Sequence, residues 1–427
     1  MPRTVSVGLL GLGNIGSGVA DYLERNSSLI RRKTGIRVVL RKDYDRNNKS
    51  MSILPREKRA SSPEEIINDP GIQIFIELIG GYEPARTFML KALRSGKHVV
   101  TANKAALARH GREIFEAAAR ADRNLGFEAS VCGGIPIIKV LKENLDEIES
   151  FLGIVNGTTN FILTEMSAGG REFGDALREA QRLGYAEADP AFDIEGHDAL
   201  QKLLLASQLA FNTRLEYRRL ERSHREGITG ISSADIGYAR ELGYTIKHLA
   251  KARKAGGRLE LGVFPALVPD THLLASVSGV LNAVYLSGRN FGPQLFTGAG
   301  AGRIPTSDAV VRDVVDIARK IDHGAAEMPK FDSQLHILDP LDYDSEFYLR
   351  FNARDRPGVL SRVSGILAGN GVSISAVIQK GRARSGSVPI VMTLHKSRAR
   401  DVFRSVKEIN RLPVIRPGTV VMRIEGG

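Results

Sequence analysis

Val5-Ser6-Val7-Gly8-Leu9-Leu10-Gly11-Leu12-Gly13-Asn14-Ile15-Gly16 is the stretch that decides the fold of the first part of the chain. Its apolar half is typical of a buried parallel strand, and a helical pattern follows its glycines. A strand, a glycine turn and a helix in this order predict a Rossmann-like domain, in which the turn approaches a pyrophosphate and the helix N-terminus stabilises its charge. A glycine turn without a ligand is the alternative. The residues predicted to contact the cofactor here are Gly11, Gly13, Asn14, Ile15 and Gly16.

The second predicted strand, Ile36–Leu40, determines which dinucleotide is expected. Arg41 and Lys42 follow it, at the point where an NAD-specific site usually has an acidic residue for the ribose diol. Two cations suit a 2′-phosphate, so the sequence favours NADP, with Arg41 and Lys42 as its partners. NAD remains possible because Asp43 could take the acidic role.

A later strand end carries a candidate for contact with cofactor or substrate. Thr101-Ala102-Asn103-Lys104 closes a predicted strand at the carboxyl edge of the sheet, where ligands bind in open α/β folds. Lys104 is therefore a candidate site residue, and a lysine in solvent is the alternative.

A turn rich in carboxylates, residues 184–190, leads into a helix that contains Asp198 and Lys202. These two residues are four apart, so they lie on the same helix face. A lysine held against apolar surface beside a carboxylate can have a shifted pKa and exchange protons with a substrate, and burial is expected to lower the pKa of Lys202 toward neutrality so that it can act as acid and as base. A surface salt bridge is the alternative for a lone pair of this kind.

Three further segments combine small residues with polar groups. Phe127–Pro136 could bind a hard cation through backbone oxygens and Glu128, or could form a hinge between domains, and Cys132 within it is expected to be a buried thiol rather than a nucleophile. Asn156–Asn160 is expected to cap a helix or to bind a ligand. Gly298–Thr306, which includes Gly302, is expected to approach a ligand closely, with a flexible linker as the alternative.

Composition limits the class of protein. The chain of 427 residues contains no run of eighteen apolar residues, so no membrane span is expected. One cysteine excludes an intramolecular disulfide and a cysteine-built metal site, and the N-terminus lacks the organisation of a signal peptide, so a cytoplasmic protein is expected. The net charge of +12 comes without aromatic interleaving or a nucleic-acid motif, so solvated basic surface or a phosphate site is expected rather than nucleic-acid binding.

Six motifs in order resemble homoserine dehydrogenase, the enzyme that interconverts aspartate 4-semialdehyde and homoserine. They are Gly11-x-Gly13-x-x-Gly16, Thr101–Lys104, Glu128–Pro136, Asn156–Asn160, Gly184-Tyr185-x-Glu187-x-Asp189-Pro190 and Asp198-x-x-x-Lys202. The resemblance spans residues 4 to about 325. It implies a nicotinamide-binding domain, a catalytic domain that also forms a homodimer or homotetramer, and a chain that returns to the first domain after Pro305. It also implies a role in the biosynthesis of threonine, methionine and isoleucine.

The resemblance assigns roles to individual residues. Lys202 and Asp198 match a catalytic pair, Glu187 matches the residue that binds the substrate ammonium, and Lys104 matches a lysine at the reaction centre, where it would contact substrate and cofactor. Asp198 is also expected to contact the substrate, by orienting its hydroxyl, or else to orient the ammonium of Lys202. A site for a monovalent cation, most closely a sodium site, would fall on Glu128, Val131, Gly133 and Ile135. The segment Leu40–Asp43 departs from the family's commoner Val-Arg-Asp.

The tail, residues 346–427, shows a βαββαβ order that is typical of a ferredoxin-like fold. With Asp355–Leu360 it resembles an ACT domain, a module that binds amino acids, and threonine is the expected effector. An oligomerisation module without a ligand is the alternative.

The expected fold class is α/β, with a Rossmann-like domain, an α+β catalytic and dimerisation domain, and a ferredoxin-like domain. The expected boundaries are 1–130 (completed by about 305–330), 131–304 and 346–427.

Two other functions are compatible with parts of the sequence. An enzyme like aspartate-semialdehyde dehydrogenase needs a thiolate to form a thioester, and Cys132 is the chain's single cysteine. A non-catalytic amino-acid sensor is the second, although every catalytic candidate is present.

Overall fold

The first domain is built on a parallel sheet with helices on its faces. In a computed structural model, residues 3–47, 52–321, 331, 333, 335–380 and 386–426 are described. The five strands follow the order β2-β1-β3-β4-β5. The strands are β1 (Arg3–Leu10), β2 (Ile36–Tyr44), β3 (Ile74–Glu77), β4 (His98–Thr101) and β5 (Leu125–Gly126). The helices are α1 (Asn14–Arg25), α2 (Ser27–Thr34), α3 (Pro63–Ile67), α4 (Ala85–Arg94) and α5 (Lys104–Arg120).

Strand β1 forms where the sequence predicts it, because its apolar side chains are buried against helices on both faces of the sheet. Strand β2, in contrast, is longer than predicted: it continues to Tyr44 instead of ending at Leu40, with a register shift opposite Val7 and Gly8. Arg41 and Lys42 therefore lie within the strand rather than beyond its end.

The second sheet combines the middle of the chain with its tail. The middle region contributes β6 (Ile148–Ile154), β7 (Tyr244–Ala255), β8 (Arg258–Pro269), β9 (Leu281–Gly288), β10 (Gln294–Ala299) and the short β11 (His336–Ile337). Its helices are α6 (Ile137–Glu143), α7 (Gly157–Gly169), α8 (Phe173–Arg182), α9 (Ala191–Ile194), α10 (His197–Ala210), α11 (Tyr217–Leu220) and α12 (Ser233–Glu241). Helix α13 (Arg303–Lys320) leaves this region and packs along α1 of the first domain.

The tail forms the predicted βαββαβ unit. It consists of β12 (Asp344–Arg354), α14 (Val359–Gly369), β13 (Ile374–Gln379), β14 (Ser387–Arg398), α15 (Ala399–Ile409) and β15 (Ile415–Ile424). The three-part fold class predicted from the sequence is confirmed. The sequence treats the tail as a separate unit, but its sheet is joined edge to edge to the middle sheet. The order across both is β10-β9-β6-β7-β8-β15-β12-β14-β13, with β11 also on β8.

Buried ionic contacts reinforce this junction. Arg423 and Ile424 of β15 pair in parallel with Ala266 and Leu267 of β8. Behind the strands, Arg350 of β12 binds both carboxylate oxygens of Asp235 at 2.6 and 2.8 Å. A buried carboxylate without a partner is costly, so such contacts fix how the two sheets meet.

One apolar cluster joins the first domain to the middle region. It includes Leu107 of α5, Ile137 of α6, and Leu200 and Leu203 of α10. Packing of α5 against α10 brings the N-terminal ends of these two helices together, and this is where the candidate site lies. In the part of the chain that the structure describes, no helix has the length and apolarity needed to cross a bilayer.

Candidate active site between two domains

Three predicted residues meet at the domain boundary: Asp198, Lys202 and Lys104. The Oδ2 atom of Asp198 lies 2.8 Å from the Nζ atom of Lys202, and its Oδ1 atom lies 3.2 Å from the Nζ atom of Lys104. Asp198 and Lys202 are both buried, whereas the side chain of Lys104 is 32% exposed. A single carboxylate is thus shared by two cations that come from different domains.

Local structure explains why Asp198 and Lys202 face each other. Helix α10 begins after Gly196, whose φ of 84° is a left-handed conformation that favours glycine. Asp198 lies in the first turn, where a negative charge interacts favourably with the helix dipole, and Lys202 lies one turn later.

Asn156 and Val155 hold this pair from the neighbouring strand end. The Oδ1 atom of Asn156 caps α7 by accepting from the Thr159 N–H at 2.8 Å, as predicted. Its Nδ2 group donates to Asp198 Oδ2 at 2.8 Å, and the Lys202 ammonium donates to the Val155 carbonyl at 2.7 Å. Asn156 therefore serves as a helix cap and as a support for the buried carboxylate.

The electrostatics of the pair differ from the prediction. Burial alone would raise the pKa of Asp198, but the charges of Lys202 and Lys104 and the Asn156 hydrogen bond hold it below its usual value. Burial alone would lower the pKa of Lys202, but the Asp198 carboxylate raises it above that of an ordinary lysine. The expectation that burial moves the pKa of Lys202 toward neutrality is therefore wrong for the ligand-free chain, in which Lys202 is an ammonium ion at pH 7.

Asp193 is a site residue that sequence reasoning missed. Its carboxylate accepts from Asn156 Nδ2 at 2.8 Å and from Thr158 Oγ1 at 3.2 Å. Burial and, second, the nearby charge of Asp198 raise the pKa of Asp193. Its position five residues before Asp198 gives no signal of this contact, since other acidic residues surround it in the sequence.

Lys104 is placed by the start of α5. Asn103 caps this helix by accepting from the Ala106 N–H at 3.0 Å, and its Nδ2 group donates to the Gly81 carbonyl at 2.8 Å. These bonds connect the ends of β3 and β4. The alternative that Lys104 is a lysine free in solvent is excluded by its ion pair with Asp198.

The glycine turn has the geometry that a dinucleotide needs. A side chain at position 16 would place its Cβ atom 1.9 Å from the Gly11 carbonyl oxygen, so only glycine allows α1 to start this close to the turn. Gly13 is the N-cap of α1 and Gly302 is the N-cap of α13, and Ser307 Oγ donates to the Ile15 carbonyl at 3.0 Å across the first turns of the two helices. Two helix N-termini thus meet beside the turn, which favours an anion such as pyrophosphate. Asn14 and Ile15 are the first residues of α1.

The end of β2 presents an acidic residue to this turn. Arg41 Nε and Lys42 Nζ lie 3.0 and 3.5 Å from Asp69 Oδ2. Asp43 is buried, and its carboxylate accepts a hydrogen bond from the Ser52 hydroxyl. Asp45, the first residue after the strand, accepts from the Leu12 N–H at 2.6 Å.

The predicted cation segment is folded tightly around Glu128. The two oxygens of this buried carboxylate accept from the Ile138 and Lys139 N–H groups at 2.8 Å each, and the Ile135 carbonyl accepts from Ile137 at 2.8 Å. Across the described residues, no three His, Cys, Asp or Glu side chains are grouped so that they could hold a metal ion. Any cation here would therefore be held mainly by backbone oxygens, such as those of Val131, Gly133 and Ile135.

Cys132 has the properties of a structural thiol. It is fully buried, and burial raises its pKa to about 11. The thiolate that thioester chemistry requires is therefore almost absent at neutral pH, and this weighs against a mechanism like that of aspartate-semialdehyde dehydrogenase.

Glu187 is the predicted residue that the structure does not bring to the others. Its side chain is exposed, and its backbone carbonyl accepts from Gln181 Nε2 at 3.1 Å. The loop that carries it is tied to the site by Thr158 Oγ1, which donates to the Tyr185 carbonyl at 2.7 Å.

Comparison with known families matches each part of the chain. Residues 11–128 match the family described as homoserine dehydrogenase, NAD-binding domain, residues 136–315 match homoserine dehydrogenase, and residues 347–414 match the ACT domain.

Individual proteins are similar over nearly the whole chain. A homoserine dehydrogenase of Neisseria gonorrhoeae is 42% identical over 435 residues, which cover 99% of this chain and 99% of that protein. The crystal structure of a homoserine dehydrogenase from Thiobacillus denitrificans has a TM-score of 0.92 and 42% identity, and the match covers 99% of this chain and 98% of that one. A hyperthermophilic archaeal homoserine dehydrogenase in complex with NADPH has a TM-score of 0.63 and 26% identity, and the match covers 74% of this chain and 98% of that one.

Proposed function

The chain belongs to the homoserine dehydrogenase family of oxidoreductases, which act on a CH–OH group, and we propose that Asp198, Lys202 and Lys104 carry out this reaction between L-homoserine and L-aspartate 4-semialdehyde. The observation that carries the proposal is the carboxylate of Asp198 held between two lysines of different domains, of which Lys104 comes from the domain with the dinucleotide turn. The expected domain roles follow: 1–130 with about 305–330 binds the cofactor, 131–304 is catalytic and forms a dimer or tetramer, and 346–427 is regulatory.

Lys202 is the proposed acid and base. In the reducing direction its ammonium group donates a proton to the aldehyde oxygen as that oxygen becomes an alkoxide, and in the oxidising direction the neutral amine takes the hydroxyl proton. A nicotinamide cofactor, when bound, supplies or accepts the hydride. Asp198 orients Lys202, Lys104 contacts the substrate oxygen or the cofactor, and the exposed Glu187 binds the ammonium group of the incoming substrate.

The site is also proposed to bind either NAD or NADP, with Asp45 rather than Arg41 and Lys42 as the selecting residue. Arg41 and Lys42 are both paired with Asp69, which offsets the positive charge that a 2′-phosphate would need from them. Asp45 lies beside the Leu12 N–H of the glycine turn, where a carboxylate can accept from the ribose hydroxyls and repel a 2′-phosphate.

A cytoplasmic location remains a proposal, supported by the single buried cysteine, which a reducing compartment suits. Cell fractionation that places the protein in an envelope or secreted fraction would refute it.

For Lys202→Ala we expect kcat to fall by about 10²–10⁴ in both directions, the usual contribution of general acid–base catalysis, with little change in nicotinamide affinity.

In the wild type we expect kcat/KM for semialdehyde reduction to be flat from about pH 6.5 to 9, because a pKa raised above that of ordinary lysine keeps Lys202 protonated. Reduction of the semialdehyde consumes one proton, so the equilibrium between the two directions depends on pH. Because kcat/KM for reduction is expected to be flat, kcat/KM for homoserine oxidation should carry this pH dependence and rise about tenfold per pH unit. Steady-state kinetics in both directions measure this.

Lys97→Ala is the matched control. Lys97 is also buried and donates to two backbone carbonyls. It directly precedes β4, so it lies at the opposite end of that strand from Lys104 and α10. It should lose stability and keep kcat. Near-wild-type kcat in Lys202→Ala would show that the Asp198–Lys202 pair is a structural salt bridge, and Lys104 would then be the better candidate for the proton donor.

For the cofactor, we expect Asp45→Ala to raise the KM for NADH by about tenfold or more, because a hydrogen bond to a charged group is worth about 1.5–3 kcal/mol. The KM for NADPH should fall, since a repulsive charge is removed. Arg41→Ala with Lys42→Ala should affect both cofactors equally. A rise in KM for NADPH alone in this double variant would instead support the preference for NADP that the sequence favours.

A monovalent cation, sodium first, is proposed at the carbonyl oxygens of Val131, Gly133 and Ile135, with Glu128 supplying negative charge rather than a ligand. Oxygen donors from backbone suit a hard cation. We expect activity to fall when choline replaces sodium in the assay, and Glu128→Gln to raise the sodium concentration needed for half-maximal activity. Equal activity in sodium and choline would remove the site from the proposal.

The ACT domain is proposed to bind an amino acid, threonine first, and to lower activity on binding. We expect calorimetric binding of threonine to the full chain and inhibition over the same concentrations, both weakened by Asp355→Ala in the loop that opens α14, with leucine as the control ligand. Point variants are preferable to deletion of the module, since deletion would remove Arg350, the partner of Asp235, and expose the apolar side chains of the middle region that pack against the ACT sheet. Absence of both heat and inhibition would favour a module that serves only in assembly.

A further inference from the structure

A short strap, residues 224–228, lies between the ACT domain and the helix that carries Asp198. Its backbone is fixed to β8, since the Val263 N–H donates to the His224 carbonyl at 2.8 Å and the Glu226 N–H donates to the Val263 carbonyl at 2.7 Å. At its other end the Ile228 N–H donates to the Ile194 carbonyl at 2.9 Å. The strap therefore ties β8 to the turn that immediately precedes α10.

His248 of β7 contacts the backbone of the strap. Its Nε2 atom lies 3.0 Å from the Glu226 carbonyl oxygen, and its Nδ1 atom lies 3.3 Å from Thr159 Oγ1. Burial lowers the pKa of His248 to about 4, so the ring is neutral at pH 7. Because a carbonyl can only accept, Nε2 carries the hydrogen and Nδ1 is left as an acceptor facing the Thr159 hydroxyl, which also lies 3.2 Å from the Asn156 carbonyl oxygen as a donor to it.

The start of α10 rests directly on these groups. A Cβ atom at Gly196 would lie 3.3 Å from the Glu226 carbonyl oxygen and 3.4 Å from Cε1 of His248. From His248 the contacts continue through Thr159 to Asn156, whose Nδ2 group donates to Asp198. The strap and His248 thus reach Asp198 by two routes, through the N-cap of its helix and through Asn156.

The outer end of the strap is held by the ACT domain. Arg423, near the end of β15, donates from Nη1 to Glu226 Oε1 at 2.7 Å. Arg423 is only 3% exposed, and its guanidinium lies 4.5 Å from the centre of the Phe264 ring of β8. This packing fixes the guanidinium, so the position of Glu226 depends on the position of β15.

We propose that Arg423 and Glu226 are positioning residues for catalysis, and that the last strand of the ACT domain helps to hold the Asp198 carboxylate in place through the strap and His248. Displacement of β15 would release Glu226, loosen the turn before α10 and disturb the pairing of Asp198 with Lys202. The inference rests on the proposed roles of Asp198 and Lys202, and it gives the ACT domain a physical connection to them.

The test is a double-mutant cycle on Arg423→Met and Glu226→Gln in the full chain. We expect each variant to lower kcat for semialdehyde reduction by about 2- to 30-fold, the usual range of coupling through such contacts, with the KM for the nicotinamide cofactor unchanged. The double variant should be no slower than Arg423→Met alone, because both changes break one contact. Glu226→Gln keeps a half-exposed side chain of the same shape, so the kcat of this variant tests the proposal even if Arg423→Met folds poorly.

Arg350→Met is the matched control, since Arg350 is another buried arginine of the ACT sheet that pairs with a carboxylate of the middle region, Asp235. It should lower the thermal midpoint and leave kcat unchanged. Equal loss of kcat in Arg350→Met and Arg423→Met, additive effects in the cycle, or unchanged kcat in both Arg423→Met and Glu226→Gln would overturn the proposal. Failure of the proposed chemistry would appear separately, as near-wild-type kcat in Lys202→Ala.

Discussion

The ion pairing of one carboxylate with two lysines is the constraint on which the rest of the structure depends. Asp198 is buried, and a buried charge is tolerated only when it is paired and hydrogen-bonded. Lys202 comes from the same helix, Lys104 from the dinucleotide domain and Asn156 from the end of β6, so the pairing is complete only when three parts of the chain are correctly docked. The apolar contact between α5 and α10 supplies that docking, and the two domains meet where the proposed catalytic groups lie.

The sequence predicted well what depends on short spacing. The glycine turn with its strand and helix, the i,i+4 relation of Asp198 and Lys202, the capping role of Asn156 and the βαββαβ order of the tail are all local patterns, and the structure has each of them. The order of motifs also gave the family, which the comparisons establish.

Sequence reasoning failed where an answer depends on partners far along the chain. The pKa of Lys202 is raised rather than lowered because Asp198 is fully buried beside it and shares hydrogen bonds with a distant strand end. Arg41 and Lys42 looked available only because β2 was expected to stop at Leu40, and nothing nearby in the sequence indicates Asp69 as their partner. Asp193 and His248 have no local signal at all, since their roles come from contacts with Asn156 and with the strap.

The edge-to-edge joining of the two sheets also bears on how the protein is made. Strand β8 is complete once Pro269 has been synthesised, but its partner β15 begins only at Ile415, close to the end of the chain. At about 5–20 residues per second, the nascent middle sheet spends roughly 7–30 s with the Ala266–Leu267 part of that edge unpaired, in a state open to pairing with another chain. Synthesis through β15 is therefore the step that covers this end of β8, and a chain that stops before Ile415 leaves it paired on the β7 side alone.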